Sequence, residues 1–234
     1  MIYLYAIIDR PAVPLSDIPG LEGAVIDVLS YQNIGAVISP SMTSEVPPTE
    51  ANLWQHEAAL EALMDDRSVL PVRFGTVLAD EPAVQAALVA HYGEFTANLN
   101  RVRGHVELGL RVLWDHNDVL SLTPDARPQT PSGNGLAYMS ARLEEERKLE
   151  VRRQRAEVLA EGIHMPLARL AAESTRRMLI TPRSLVAAAY LVERERVAGF
   201  RQEVEVLSST HPELRFLCTG PWPPFSFVAM SNEQ

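Results

Sequence analysis

The chain has 234 residues, 47% hydrophobic and 22% charged, enough apolar material for two cores in domains of about 100 to 130 residues each. Its net charge of −9 is uneven: residues 1–104 carry 13 acidic and 5 basic side chains (net −8), residues 105–234 carry 17 and 16 (net −1). An acidic first half argues against a phosphate-backbone partner there, and no apolar run reaches the ~18 residues of a membrane span.

Residues 1–10 lack a basic segment and a small-residue cleavage site, so no secretion signal is expected in them. Residues 2–8 are a continuous apolar run with two tyrosines, stopped by Asp9-Arg10-Pro11, the pattern of a buried strand. After a loop rich in proline and glycine, residues 25–31 and 34–39 read as two strands of a hairpin turning at Gln32-Asn33. Thr49 is a suitable N-cap for a helix over residues 50–65, with Leu53, His56, Leu60, Leu63 and Met64 on one side and Glu57 and Glu61 on the other.

The stretch Val69-Leu70-Pro71-Val72-Arg73-Phe74-Gly75-Thr76-Val77 follows. Alternation puts Leu70, Val72 and Phe74 on one face of a five-residue strand, and Val69, Pro71 and Arg73 on the other. Pro71 lacks an N–H, which favours an edge. A buried Arg73 needs an anionic partner, and Glu57 or Glu61 are candidates for an ion pair that holds the first domain together; an arginine at the surface would instead meet a partner. Asp80-Glu81-Pro82 marks a helix start, with Val84, Leu88, Tyr92, Phe95, Leu99 and Val102 as its stripe and Gly93 as a point where it kinks or splits. The first domain, residues 1–104, is thus expected to be βββαβα.

Residues 105–114 alternate cleanly as a strand. Residues 115–135, with their prolines, glycines and polar residues, are expected to form a mobile loop. A long helix is expected over residues 136–171, with an apolar stripe of Met139, Leu143, Leu149, Ala156, Leu159, Ile163, Leu167 and Leu170. The charge run over residues 144–155 fits a solvated face, or alternatively a coiled contact with a partner, and Pro166 marks a kink or break. Residues 172–180 and 184–192 read as a hairpin through Thr181-Pro182-Arg183, residues 193–209 as a helix, and residues 213–219 as a last strand.

The order strand, helix, strand, strand, helix, strand is ferredoxin-like (βαββαβ). The fold class expected is α+β in two domains, residues 1–104 and 105–234, the second ending in an extended aromatic tail over residues 220–234. Three prolines stiffen that tail, and Trp222, Phe225 and Phe227 must pack on the chain or on a partner.

Signs of catalysis are missing. The six histidines fall in different elements without a metal-ligand spacing, and no phosphate-binding glycine loop or nucleophile elbow is present. His116, beside Asp115 and Asp118, is only a weak metal signal, and Cys218 reads as an inert thiol. A single cysteine fits a reducing compartment. The third strand of the second half offers only Tyr190, short of the aromatic pattern an RNA-recognition sheet needs.

The YLYAI run, the HEAALEAL helix followed by VLPVRFGTV, the VRGHVELGLRV junction and the GPWPPFSFV tail together resemble the gas vesicle GvpL/GvpF family over nearly the whole chain. That resemblance implies a cytoplasmic, non-enzymatic accessory or minor structural protein of gas vesicle assembly. Its implied partners are the hydrophobic shell protein and other accessory proteins; no cofactor, metal, nucleic acid or membrane is implied. Arg73, Phe74, Trp222, Phe225 and Phe227 are the candidate partner contacts. The alternative is a ligand-sensing or regulatory α+β module with a pocket between its domains.

Overall fold

The computed structural model describes residues 1–11, 19–114, 135–177 and 184–228. Of the expected loop 115–135, Gly135 is the first residue of the long helix below and the rest lies outside the described residues, as do the turn of the 172–192 hairpin, the end of the tail, and His116 with its neighbouring aspartates. The chain divides into two compact units, Met1–Glu107 with Pro221–Gln234, and Leu108–Gly220. The tail therefore groups with the first unit, not with the second half as expected.

The first unit holds β1 (Ile2–Asp9), β2 (Asp27–Tyr31), β3 (Ile34–Pro40), α1 (Glu50–Met64), β4 (Val69–Pro71), β5 (Val77–Leu78), α2 (Glu81–Ala90) and α3 (Tyr92–Val102). Its sheet runs β2-β3-β1-β4, with β5 also paired to β1. β1 is the apolar run, and it is central because both its neighbours and both its faces are covered; Tyr3 through Asp9 are buried. Antiparallel pairing of β1 with β3 shifts register between Leu4 and Ala6, a bulge. The bulge lets Leu4 and Ile7, an odd distance apart, join one core with Ile34, Ala36, Leu70, Val84, Leu88, Phe95 and Leu99.

Helix starts follow their caps. Thr49 Oγ1 accepts from Asn52 N–H at 3.2 Å, and Asp80 Oδ1 accepts from Ala83 N–H at 2.9 Å, each satisfying a donor the helix leaves open. The expected long last helix is two, and the break falls at His91 rather than Gly93.

The second unit holds most of β6 (His105–Trp114), α4 (Gly135–Ala168), β7 (Glu173–Arg177), β8 (Ser184–Glu193), α5 (Val197–Thr210) and most of β9 (Leu214–Trp222), in a sheet ordered β7-β8-β6-β9. Leu108, Leu110 and Val112 of β6 pack with Val186 and Tyr190 of β8 and with Phe200, Val204 and Leu207 of α5. Among the described side chains of α4, Ala156, Ala160, Ile163 and Leu167 are buried in this core. The first part of the expected stripe is solvent-facing: Met139 and Leu143 are 65% and 57% exposed. The apolar stripe thus includes described side chains in the core, from Ala156 on, and described side chains open to solvent. Pro166 stands two residues before the end of α4, where its missing N–H removes a hydrogen bond and the helix stops. β9 continues to Trp222, so the first part of the tail is strand rather than free polyproline-like chain.

Candidate interaction surface

The stretch 69–77 makes a strand, a turn and a strand. β4 and β5 both pair with β1, at Ala6–Ile8 and at Ile2–Tyr3. Between them the Arg73 carbonyl accepts from Thr76 N–H at 3.2 Å and from Thr76 Oγ1 at 2.7 Å. Gly75 adopts φ +86°, a conformation an L side chain resists, and its N–H donates to Tyr3 Oη at 3.2 Å. The expected five-residue strand ends at Pro71 because this turn intervenes.

The turn decides what Arg73 does. Its side chain is exposed, and among the described residues no ion pair joins it to Glu57 or Glu61. The expected internal ion pair is therefore absent: the chain leaves the β4 ladder after Pro71, so strand alternation no longer sets where Arg73 points. Phe74 is half-buried and packs edge-on to Tyr3 and His56, with ring centroids 6.2 and 5.6 Å away.

Behind Phe74 lies an aromatic cluster. Tyr3 and Tyr5 meet edge to face at 4.8 Å, and Tyr5 stacks on His56 at 5.8 Å. Tyr3 Oη lies 3.0 Å from His56 Nδ1, and Tyr5 Oη accepts from Leu21 N–H at 2.8 Å. Tyr3 Oη also accepts from Gly75 N–H, so one phenol oxygen ties the imidazole to the 73–76 turn, with the direction of the Tyr3–His56 bond following the histidine tautomer. His56 Nε2 is buried without a full hydrogen bond. Burial pulls the His56 pKa below its ordinary value, with the Val72 backbone as a smaller opposing influence, so the ring is neutral. Burial likewise pushes Tyr3 up to about 12, against the Gly75 backbone. Alternation alone did not disclose this cluster; the two tyrosines in an otherwise aliphatic run were its only sequence signal.

The tail is fixed separately. Ser226 N–H and Oγ–H donate to the Glu107 carboxylate, each at 2.7 Å, and Phe227 N–H donates to the Pro224 carbonyl at 3.1 Å. Phe227 is 2% exposed, Trp222 is half-buried and Phe225 is 40% exposed. Phe227 is thus packing rather than surface, whereas Phe225 presents a ring to solvent from an anchored short 3-10 turn. Glu107, the anchor, stands in the 105–114 strand, whose alternation carries no sign of the tail it holds.

Among the described residues no group of histidine, cysteine and carboxylate side chains is arranged to hold a metal, and no helix is long and apolar enough to cross a membrane. Cys218 is half-buried, and burial raises its thiol pKa against the influence of Arg201, away from the thiolate a nucleophile needs.

Known proteins agree with this architecture. The sequence model of the family described as "Gas vesicle synthesis protein GvpL/GvpF" matches residues 1–229. "Gas vesicle protein F1" of Halobacterium salinarum is 24% identical over 231 residues, covering 97% of this chain and 92% of that protein. "Gas vesicle protein L" of a Streptomyces species is 29% identical over 185 residues, covering 76% and 69%. The crystal structure of gas vesicle protein GvpF from Anabaena sp. PCC7120 superposes with a TM-score of 0.81 at 21% identity, covering 100% of this chain and 98% of that one. That of GvpF from Microcystis aeruginosa gives 0.78 at 20% identity, covering 98% and 99%. An α+β fold shared along the whole chain, and a family match over nearly all its residues, place this protein in the GvpL/GvpF family of gas vesicle proteins.

Proposed function

We propose that this protein acts in gas vesicle assembly by binding the hydrophobic shell protein and other accessory proteins, without catalysing a reaction. The observation that carries the reading is the family match over residues 1–229. Subunits of a gas-enclosing shell must be apolar on at least one surface, and apolar, edge-bearing subunits aggregate unless covered. A protein that covers them needs accessible apolar groups on a well-anchored frame. Phe225 meets that need, held by the Glu107–Ser226 pair, with half-buried Trp222 beside it in sequence. Arg73 and Phe74, displayed by the Gly75 turn, are the second proposed contact.

The work is done at the gas vesicle, inside the cytoplasm. The strand order β7-β8-β6-β9 supports reading the second unit as a ferredoxin-like domain that serves as scaffold, with the first unit carrying the contacts. Deleting the gene from a vesicle-forming host tests the role: loss of vesicles, restored by the wild-type copy, is expected. Normal vesicle number and shape in the deletion strain would overturn it.

A further inference from the structure

Residues 11–66 contain nine carboxylates and no lysine or arginine. Three of those carboxylates, Glu50, Glu57 and Glu61, stand on α1, and Asp65 caps its end. At 100° per residue they fall within a sector of about 80° on the helix. Trp54 lies inside that sector and Leu53 about 40° outside it, and they are 67% and 41% exposed. The opposite side of the same helix is locked down: His56, Leu60 and Leu63 are buried. The outer face is therefore rigidly presented.

Its chemistry is unbalanced. Among the described residues no cation pairs with Glu57 or Glu61, which repel each other at i,i+4 spacing. Partial burial, and to a lesser extent the Glu61 carboxylate, raise the Glu57 pKa. Trp54 Nε1–H reaches Glu50 Oε1 at 3.5 Å, which leans the indole along the helix and leaves its ring uncovered. An exposed tryptophan on a helix face whose Glu57 and Glu61 carboxylates have no cation partner among the described residues suits a planar cation, which stacks on the indole and hydrogen-bonds a carboxylate.

We infer that the outer face of α1 docks an arginine-bearing amphipathic helix of a partner protein, with Trp54 and Leu53 taking its apolar and guanidinium groups and Glu50, Glu57 and Glu61 pairing with its cations. A second copy of α1 in the same place would set carboxylates against carboxylates, and a nucleic acid or anionic lipid surface would be repelled by them. The face is distinct from Arg73, Phe74, Trp222 and Phe225, so it stands or falls apart from the contacts proposed above.

The test uses the full chain and a synthetic amphipathic helix peptide with arginine and leucine along one face, titrated by calorimetry at low and raised salt. Two control peptides carry the same composition scrambled and glutamate in place of arginine. Saturable binding by the patterned peptide is expected, with loss of about tenfold or more in affinity for Trp54→Ala, the size of effect a central aromatic contact gives. Glu57→Gln/Glu61→Gln is expected to weaken binding and flatten its salt dependence. Both sets of positions are at least partly exposed, and circular dichroism checks each fold; if one variant is unfolded, the other decides. Equal affinity of wild type and variants, equal binding of the scrambled peptide, or no saturable binding overturns the inference.

Discussion

Glu107 and Ser226 are joined by two hydrogen bonds of 2.7 Å across 119 residues of sequence, one from the serine backbone and one from its hydroxyl. Glu107 is 9% exposed, so the residue has given up most of its water while its carboxylate gains these two donors. The pair fixes the backbone between exposed Phe225 and buried Phe227.

Glu107→Ala is therefore expected to release the end of the tail. Hydrogen bonds to a charged group contribute about 1.5–3 kcal/mol each, lessened here because Ser226 can turn to water. A loss of about 2 kcal/mol is predicted, together with faster amide exchange at Ser226. Ser226→Ala removes only the hydroxyl bond, and its amide should stay protected. Exchange unchanged in Glu107→Ala would show that the tail is held by Phe227 alone.

The His56 site predicts a pH dependence. Its folded pKa is lowered from an ordinary value near 6.5, so the unfolded chain binds the proton more readily. Stability contributed by the neutral ring is full above about pH 6.5 and is lost as pH falls through the lower folded pKa. His164, also lowered by burial and by Arg176, adds in the same direction. Denaturant unfolding between about pH 5 and 8 should show stability rising with pH, and His56→Leu should reduce that slope. An unchanged slope in the variant would assign the effect elsewhere.

Gly75 has φ +86° and open space where a Cβ would stand. Gly75→Ala therefore clashes with nothing and bears only the conformational cost, about 1–2 kcal/mol. Gly35 differs: a Cβ there would sit 2.6 Å from Val28 Cγ1 across the β2-β3 hairpin and 2.7 Å from Cβ of Pro11, which follows β1. Gly35→Ala is expected to destabilise through crowding, and thermal unfolding of the two variants compares the mechanisms.

The caps make a third pair. Thr49→Ala and Asp80→Ala should each cost about 1 kcal/mol, and the double variant about the sum. A clear departure from additivity would mean that α1 and α2 are coupled through the sheet they share.

The legible parts of this chain were those where a local pattern has one physical solution. A seven-residue apolar run with two covered faces is β1; Thr49 and Asp80 begin helices because few other residues satisfy the open N–H groups. What misled were patterns that continue past the point where their cause ends. Alternation runs on to Arg73, past a strand that stops at Pro71, and helical spacing runs back to Met139 and Leu143, which are exposed. Long-range pairings left no local trace: nothing near Glu107 points to Ser226, and nothing near Asp9 points to Ser68, whose N–H and hydroxyl donate to that carboxylate at 2.8 and 3.0 Å. Of the candidate contacts, Phe225 and Arg73 are exposed, Phe74 and Trp222 half-buried, and Phe227 belongs to the core.

Co-purification of this protein with the gas vesicle shell protein is the most direct measurement of the central claim. Tagged wild-type protein, co-expressed with the shell protein, is predicted to retain it, and Trp222→Ala/Phe225→Ala, with its fold checked by thermal unfolding, is predicted to lose most of it. Failure of the wild-type protein to capture the shell protein would contradict the claim, and undiminished capture by the folded double variant would remove the tail from the contact.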